Sequence, residues 1–204
     1  MWALLNSDNT INKILTRPKA LTIGDVNYPS NIFSMWTSAE LEALKIYEVV
    51  VDNTNFKKEH YYINTNQTFA FADGTVTASY GTATALSIAD TLWTAQDETD
   101  GLGTEGEVKQ RGLKYNYKET INQDAGSLLQ DTDWMVIRAA EGGTAVPSAT
   151  ATWRAAVRTK ANAMQVQIDG AADVDALAAL YEYTNTGTEE SPVFTRPLGE
   201  LPTI

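Results

Sequence analysis

Side chains able to carry covalent or acid–base chemistry are scarce in this chain. It has no cysteine and a single histidine, His60. Without thiols there are no disulfides, zinc–thiolate sites, iron–sulfur clusters or cysteine nucleophiles. A histidine-rich metal site is excluded, and a Ser-His-Asp triad would have to run through His60. That residue sits in Glu59-His60-Tyr61-Tyr62, which reads as a strand. Gly101-Leu102-Gly103-Thr104-Glu105-Gly106 superficially resembles a phosphate-cradling loop. It lacks the preceding apolar strand and the Gly-Lys-Ser/Thr ending, and its acids would repel a triphosphate. Asp131 and Asp133 stand two apart, so on a helix they point away from each other. Just ahead of an apolar run, they suit the first turn of a helix better. Asp97, Glu98 and Asp100, and likewise Asp169, Asp173 and Asp175 around Gly170, lack the spacing and terminal glutamate of an EF-hand. The sequence therefore predicts no catalytic, cofactor-binding or metal-ligating residue, and no cofactor.

Charge narrows the partners. Over 204 residues, 15 bases face 26 acids, a formal net charge of −11. Such a surface repels phosphate unless a local basic cluster intervenes, and the densest cluster is Lys57-Lys58. No nucleic acid partner is expected. No apolar run approaches the roughly 20 residues that span a bilayer. The opening Met1-Trp2-Ala3-Leu4-Leu5-Asn6 meets Ser7-Asp8-Asn9 too soon to serve as a signal peptide. No membrane partner is expected.

The elements fall into two architectures. Residues 1–88 read as a β-rich module, with Val, Ile, Thr, Tyr and Phe in short runs between turn residues. Strands are expected at Met1–Leu5 and Thr10–Leu15, forming an opening hairpin, and at Lys19–Ile23, Lys45–Val51, His60–Ile63, Thr68–Phe71 and Thr75–Tyr80. A short helix capped by Thr37 or Ser38 interrupts them. Residues 89–106 are acidic and glycine-rich and read as a linker or exposed loop. Residues 107–183 change period towards 3.6 and read as a helical module. Helices are expected over Glu107–Leu129, after Thr132 to Glu141, from Pro147 to Gly170, and over Asp173–Tyr183. In the third, Trp153, Val157, Ala161, Met164 and Ile168 make one apolar stripe, with Arg154, Arg158 and Lys160 elsewhere on the surface. Residues 184–204 show no period and read as an extended tail that orders only if it packs on something. The fold class is α+β, with a small antiparallel β-rich N-terminal module followed by an α-helical module containing a helical hairpin. Residues 1–90 carry a net charge of −3 and residues 91–204 a net charge of −8.

One stretch carries a resemblance. Leu128-Leu129-Gln130-Asp131-Thr132-Asp133-Trp134-Met135-Val136-Ile137-Arg138-Ala139-Ala140-Glu141, then Gly143, Pro147 and Trp153-Arg154-Ala155-Ala156-Val157-Arg158, resembles the C-terminal signature of small bacteriophage tail proteins. These are the tail-fibre assembly and tail-fibre-associated proteins. The resemblance covers about 30 residues, and the N-terminal half is similar to the small β-rich regions of such proteins, with Pro18, Tyr28-Pro29 and a short Leu-rich helix leading to Ile46-Tyr47. It implies a virion protein of the phage tail, a fibre or baseplate partner, and no enzymatic activity.

The motif residues also have a reading of their own. Thr132 is expected to cap a helix, with Asp133 as a favourable first-turn charge. Trp134 and Ile137 are expected to bury apolar area against the next helix, led by Trp153. Arg154 and Arg158, one turn apart, could meet Asp131, Asp133 or Glu141. Such a hairpin could simply be stable, or it could present a docking surface. Aromatics and arginines dominate contacts of the second kind. The candidate partner-binding residues are Trp134, Ile137, Arg138, Trp153, Arg154, Val157 and Arg158. Two further roles are weighed: a chaperone in the host cytoplasm that holds the fibre and then leaves, and a carbohydrate-binding module. In the second, Trp36, Tyr47, Tyr61, Tyr62 and Tyr80 would stack on sugars. A homo-oligomer is also compatible with this reading.

Overall fold

A computed structural model describes residues 1–203 and divides the chain into two compact units, Met1–Thr84 and Ala85–Ile204. The α+β class holds: strands occupy the first unit and long helices the second.

In the first unit, β1 (Trp2–Leu5) and β2 (Ile11–Leu15) form the opening hairpin, and β3 (Leu21–Ile23) and β4 (Val26–Tyr28) form a second. Helices α1 (Ile32–Met35) and α2 (Ser38–Ala43) precede β5 (Ile46–Asp52). Thr37 accepts from the Glu40 N–H while Glu40 accepts from the Thr37 N–H, a reciprocal cap that starts α2 at the expected residue. Then come β6 (Tyr62–Ile63), β7 (Gln67–Ala72), β8 (Thr75–Tyr80) and β9 (Thr84–Ala85), the last spanning the boundary between the units. His60 lies in an exposed turn rather than in a strand, because the Tyr61 and Tyr62 N–H groups donate back to the Lys58 carbonyl.

The main sheet runs β2-β1-β5-β8-β7. All its neighbours are antiparallel except β5 and β8, which run parallel. Asp73 and Gly74, both at positive φ, make the two-residue β7–β8 turn whose twist matches the strands. Alternation divides the side chains between two faces. On one, Ala3, Leu5, Val49, Val76 and Ala78 are buried, and Ile11 and Ile14 of β2 and Phe69 and Phe71 of β7 pack against them. The edge strands thus curl towards each other over that core. On the other face, Leu15 and Ile46 pack under Ile32, Phe33 and Leu41 of α1 and α2.

The second unit opens with β10 (Thr91–Leu92), α3 (Ala95–Thr99) and β11 (Val108–Gln110). This corrects the linker expected over 89–106, because the acids there are structural. Asp97 and Thr94 form a reciprocal cap on α3, and Asp97 also pairs with Lys109 at 2.9 Å. Trp93 organises the loop: Lys109 lies over its ring at 4.5 Å, and a Cβ on Gly103 would stand 2.4 Å from the indole. The glycine-rich stretch therefore serves close packing against a tryptophan, not a phosphate.

Helix α4 (Leu113–Gln130) starts at Gly112, where any Cβ would strike the Ala89 backbone at 2.3 Å. Helices α5 (Asp133–Ala140), α6 (Ser148–Gly170) and α7 (Val174–Ala179) follow, then the small strands β12 (Thr184–Asn185) and β13 (Phe194–Thr195). Helices α4 and α6 pack antiparallel. Lys114 and Lys118 meet Asp169, Asn122 meets Gln165, and the end of α4 meets Arg154. Between them lie Ile121, Ala125, Val157, Ala161, Met164 and Ile168, all buried. The tail expected over 184–204 does pack, among its described residues. Leu198 is fully buried, its N–H donates to the Leu180 carbonyl, and its carbonyl accepts from Lys160 Nζ at 2.7 Å.

Candidate functional site

The motif residues converge on Arg154. It comes from α6 and is buried, one of two buried polar residues among the described ones; the other is Thr132. Its Nη1 donates to the Leu129 carbonyl at 2.8 Å and to the Thr132 hydroxyl, and its Nη2 donates to Asp133 Oδ1 at 2.7 Å. The Thr132 hydroxyl in turn donates to the Leu129 carbonyl at 2.9 Å. The last carbonyls of a helix lack intrahelical donors, and a guanidinium with five N–H groups satisfies them well. Arg154 thus closes the end of α4 and fixes the turn into α5. This corrects two expectations. Arg154 is not on the surface, and Thr132 does not accept from the first N–H groups of α5, because its hydroxyl is already turned back towards α4.

Trp153 and Val157 are also committed internally. The Trp153 indole N–H donates to the Pro202 carbonyl at 3.0 Å, and Val157 is fully buried. Beside Trp153, the residues Ser127, Leu128, Asp131, Thr132 and Thr203 line a shallow cavity of about 280 Å³. Of the seven residues expected at a partner surface, Trp153, Arg154 and Val157 hold the frame instead. Arg158 is exposed and has no ion-pair partner among the described residues.

Trp134 and Ile137 do not pack against Trp153. Helix α6 takes α4 as its antiparallel neighbour, and α5 has no buried residue at all. Trp134 is 54% exposed, Ile137 58% and Val136 40%. Arg138 lies 4.8 Å over the Trp134 ring, and its Nε donates to the Thr144 carbonyl at 3.2 Å. The Gly143 N–H donates to the Arg138 carbonyl at 2.9 Å, and Gly142 adopts φ +82°, which ends the helix. So α5 is two turns of apolar helix, held at its start by Arg154 and Asp133 and at its end by a glycine turn, with Trp134, Val136 and Ile137 exposed to water.

The sequence did hold a signal for the role of Arg154. Counting back from Ile168 along the buried stripe, the steps are four, three, four and three: Met164, Ala161, Val157, Arg154. The alternation of threes and fours marks the inward face of a helix, and it passes through Arg154 rather than Trp153.

Among the described residues, no group of three or more His, Asp or Glu side chains is placed to hold a metal ion. No described helix is long and apolar enough to cross a membrane. Set against family models, curated proteins and solved structures, the chain matches none.

Proposed function

We propose that this protein is a non-enzymatic component of a bacteriophage tail, associated with the fibre or baseplate, which acts by protein–protein contact through α5. One observation carries the reading. The residues that resemble the tail-protein signature divide their labour: Thr132, Asp133, Trp153 and Arg154 build a rigid support, and that support holds Trp134, Val136 and Ile137 out into solvent. A support of this kind reduces the ordering cost of binding, and burying three large apolar side chains at roughly 25 cal/mol per Å² drives association. Tryptophan and arginine at the centre of such a patch are the residue types that dominate binding energy, and Arg138 already lies against Trp134.

Coexpression with a candidate tail-fibre protein tests the contact, and mass spectrometry of purified virions tests the place. Copurification together with presence in the virion supports a built-in tail component. Copurification with absence from the virion supports an assembly chaperone that binds the fibre and is released. Failure to bind any fibre or baseplate protein contradicts both.

A further inference from the structure

The first unit holds a second candidate site, independent of α5. Helices α1 and α2 cover only part of one sheet face. Where they stop, a cavity of about 340 Å³ remains open, within the size range of small-ligand sites. Trp2, Phe33 and Trp36 line it together with Glu42 of α2 and Glu48 of β5. Trp2 and Glu48 are direct cross-strand partners in the β1–β5 register, so both belong to the same face. Both indoles are held by aromatic neighbours. The Trp2 and Phe33 ring centroids are 4.8 Å apart, and Tyr28 meets Trp36 edge-on at 5.8 Å.

The charge of this cavity is one-sided. The Glu42 and Glu48 carboxylates have no hydrogen-bond or ion-pair partner among the described residues, and no Lys, Arg or His lines the wall. Elsewhere several rings lie under the chain's own cations: Lys109 over Trp93, Arg111 over Tyr115, Arg138 over Trp134, Arg196 over Tyr183. Trp153 has its N–H satisfied by Pro202. Of the five tryptophans, only Trp2 and Trp36 have an indole with neither a cation over it nor a side-chain hydrogen bond among the described residues. Two pre-positioned indoles beside two unpaired carboxylates form a receptor for a planar cation, since a guanidinium stacks on aromatic faces and pairs with carboxylates at its edge. We propose that this cavity receives an arginine side chain of a partner polypeptide.

The test is a titration of the full chain at low salt with the tripeptide acetyl-Gly-Arg-Gly-amide, followed by tryptophan fluorescence and by NMR of the indole N–H signals. The citrulline peptide, equal in shape and neutral, is the control. The expected result is saturable, weak binding of the arginine peptide, shifting the Trp2 and Trp36 signals, with affinity about tenfold lower for citrulline and for the E42Q/E48Q variant. Both glutamates are exposed and unpaired, so that variant keeps the fold. Trp36→Phe keeps a ring and is expected to retain part of the affinity. Equal affinity for the two peptides, or no shift at Trp2 and Trp36, overturns the proposal. So does a neutral oligosaccharide that binds there with the same affinity in E42Q/E48Q, which would assign the cavity to sugars.

Discussion

Arg154 is the residue on which the second unit turns. Its guanidinium serves three acceptors, one each from α4, the turn after it and α5, and no smaller group reaches all of them. Arg154→Ala leaves the Thr132 hydroxyl without its charged donor and takes one of several donors from the Leu129 carbonyl, and is expected to lower stability by about 2 kcal/mol in urea unfolding. Arg154→Lys recovers part of this at most, because an ammonium lacks the planar fork. Asp133 is half-exposed, so Asp133→Asn costs under about 1 kcal/mol by the same measurement. A second residue-scale test concerns acid. The Thr94 N–H, then Lys109 and the Thr94 hydroxyl, hold the Asp97 carboxyl down to about 2 from its ordinary 3.8. A depressed carboxylate pKa contributes stability that is complete above the unfolded value and disappears as pH falls through the folded one. The α3 cap is therefore expected to persist at pH 3 and open near pH 2, seen as loss of amide-exchange protection at Thr94. Asp97→Asn is expected to remove that pH dependence.

At the scale of elements, some of the molecule was readable in advance and some was not. Strand β8 begins and ends where alternation placed it, since Val76 and Ala78 face one core and their neighbours do not. Helix α6 follows its stripe because burial is one-sided. The partner of α6 was not readable, because α4 and α5 both carry apolar residues and period alone does not choose between them. Helix α5 has an apolar side, yet none of its residues is buried, so that side does not mark a packing partner. Over 89–106, acidic and glycine-rich composition masks a Thr94–Asp97 cap spaced for a helix start. Leu198 offered no period at all; it is one leucine seated in a hole. Leu198→Ala is expected to destabilise the second unit by about 3 kcal/mol, whereas Phe194→Ser, on an exposed strand, stays within about 0.5 kcal/mol. Helix α5 gains little from packing, and eight residues are too few to be stable alone. Its amides are expected to exchange faster than those of α4 and α6 in the free protein, and to gain protection when a partner binds.

The whole molecule consists of two units, each with its own core. Residues 1–84 carry a net charge of −2 and residues 85–204 a net charge of −9, so the unit bearing α5 is the strongly acidic one. Net charge of that size works against compactness through self-repulsion, and salt screens it. The expressed segment 85–204 is expected to fold alone and to unfold at a higher urea midpoint in 0.5 M salt than in dilute buffer. A segment that is unfolded when expressed alone would show that its core is not sufficient. The central claim is that the exposed face of α5 binds a tail protein, and the W134S/I137S double variant addresses it most directly. Neither side chain is buried, so the variant is expected to match the parent chain in circular dichroism and urea midpoint. Its affinity for a copurifying fibre or baseplate protein, measured by calorimetry beside the parent chain, is expected to fall at least about 100-fold, in keeping with the loss of two central apolar anchors. Unchanged affinity in a folded variant would contradict the account.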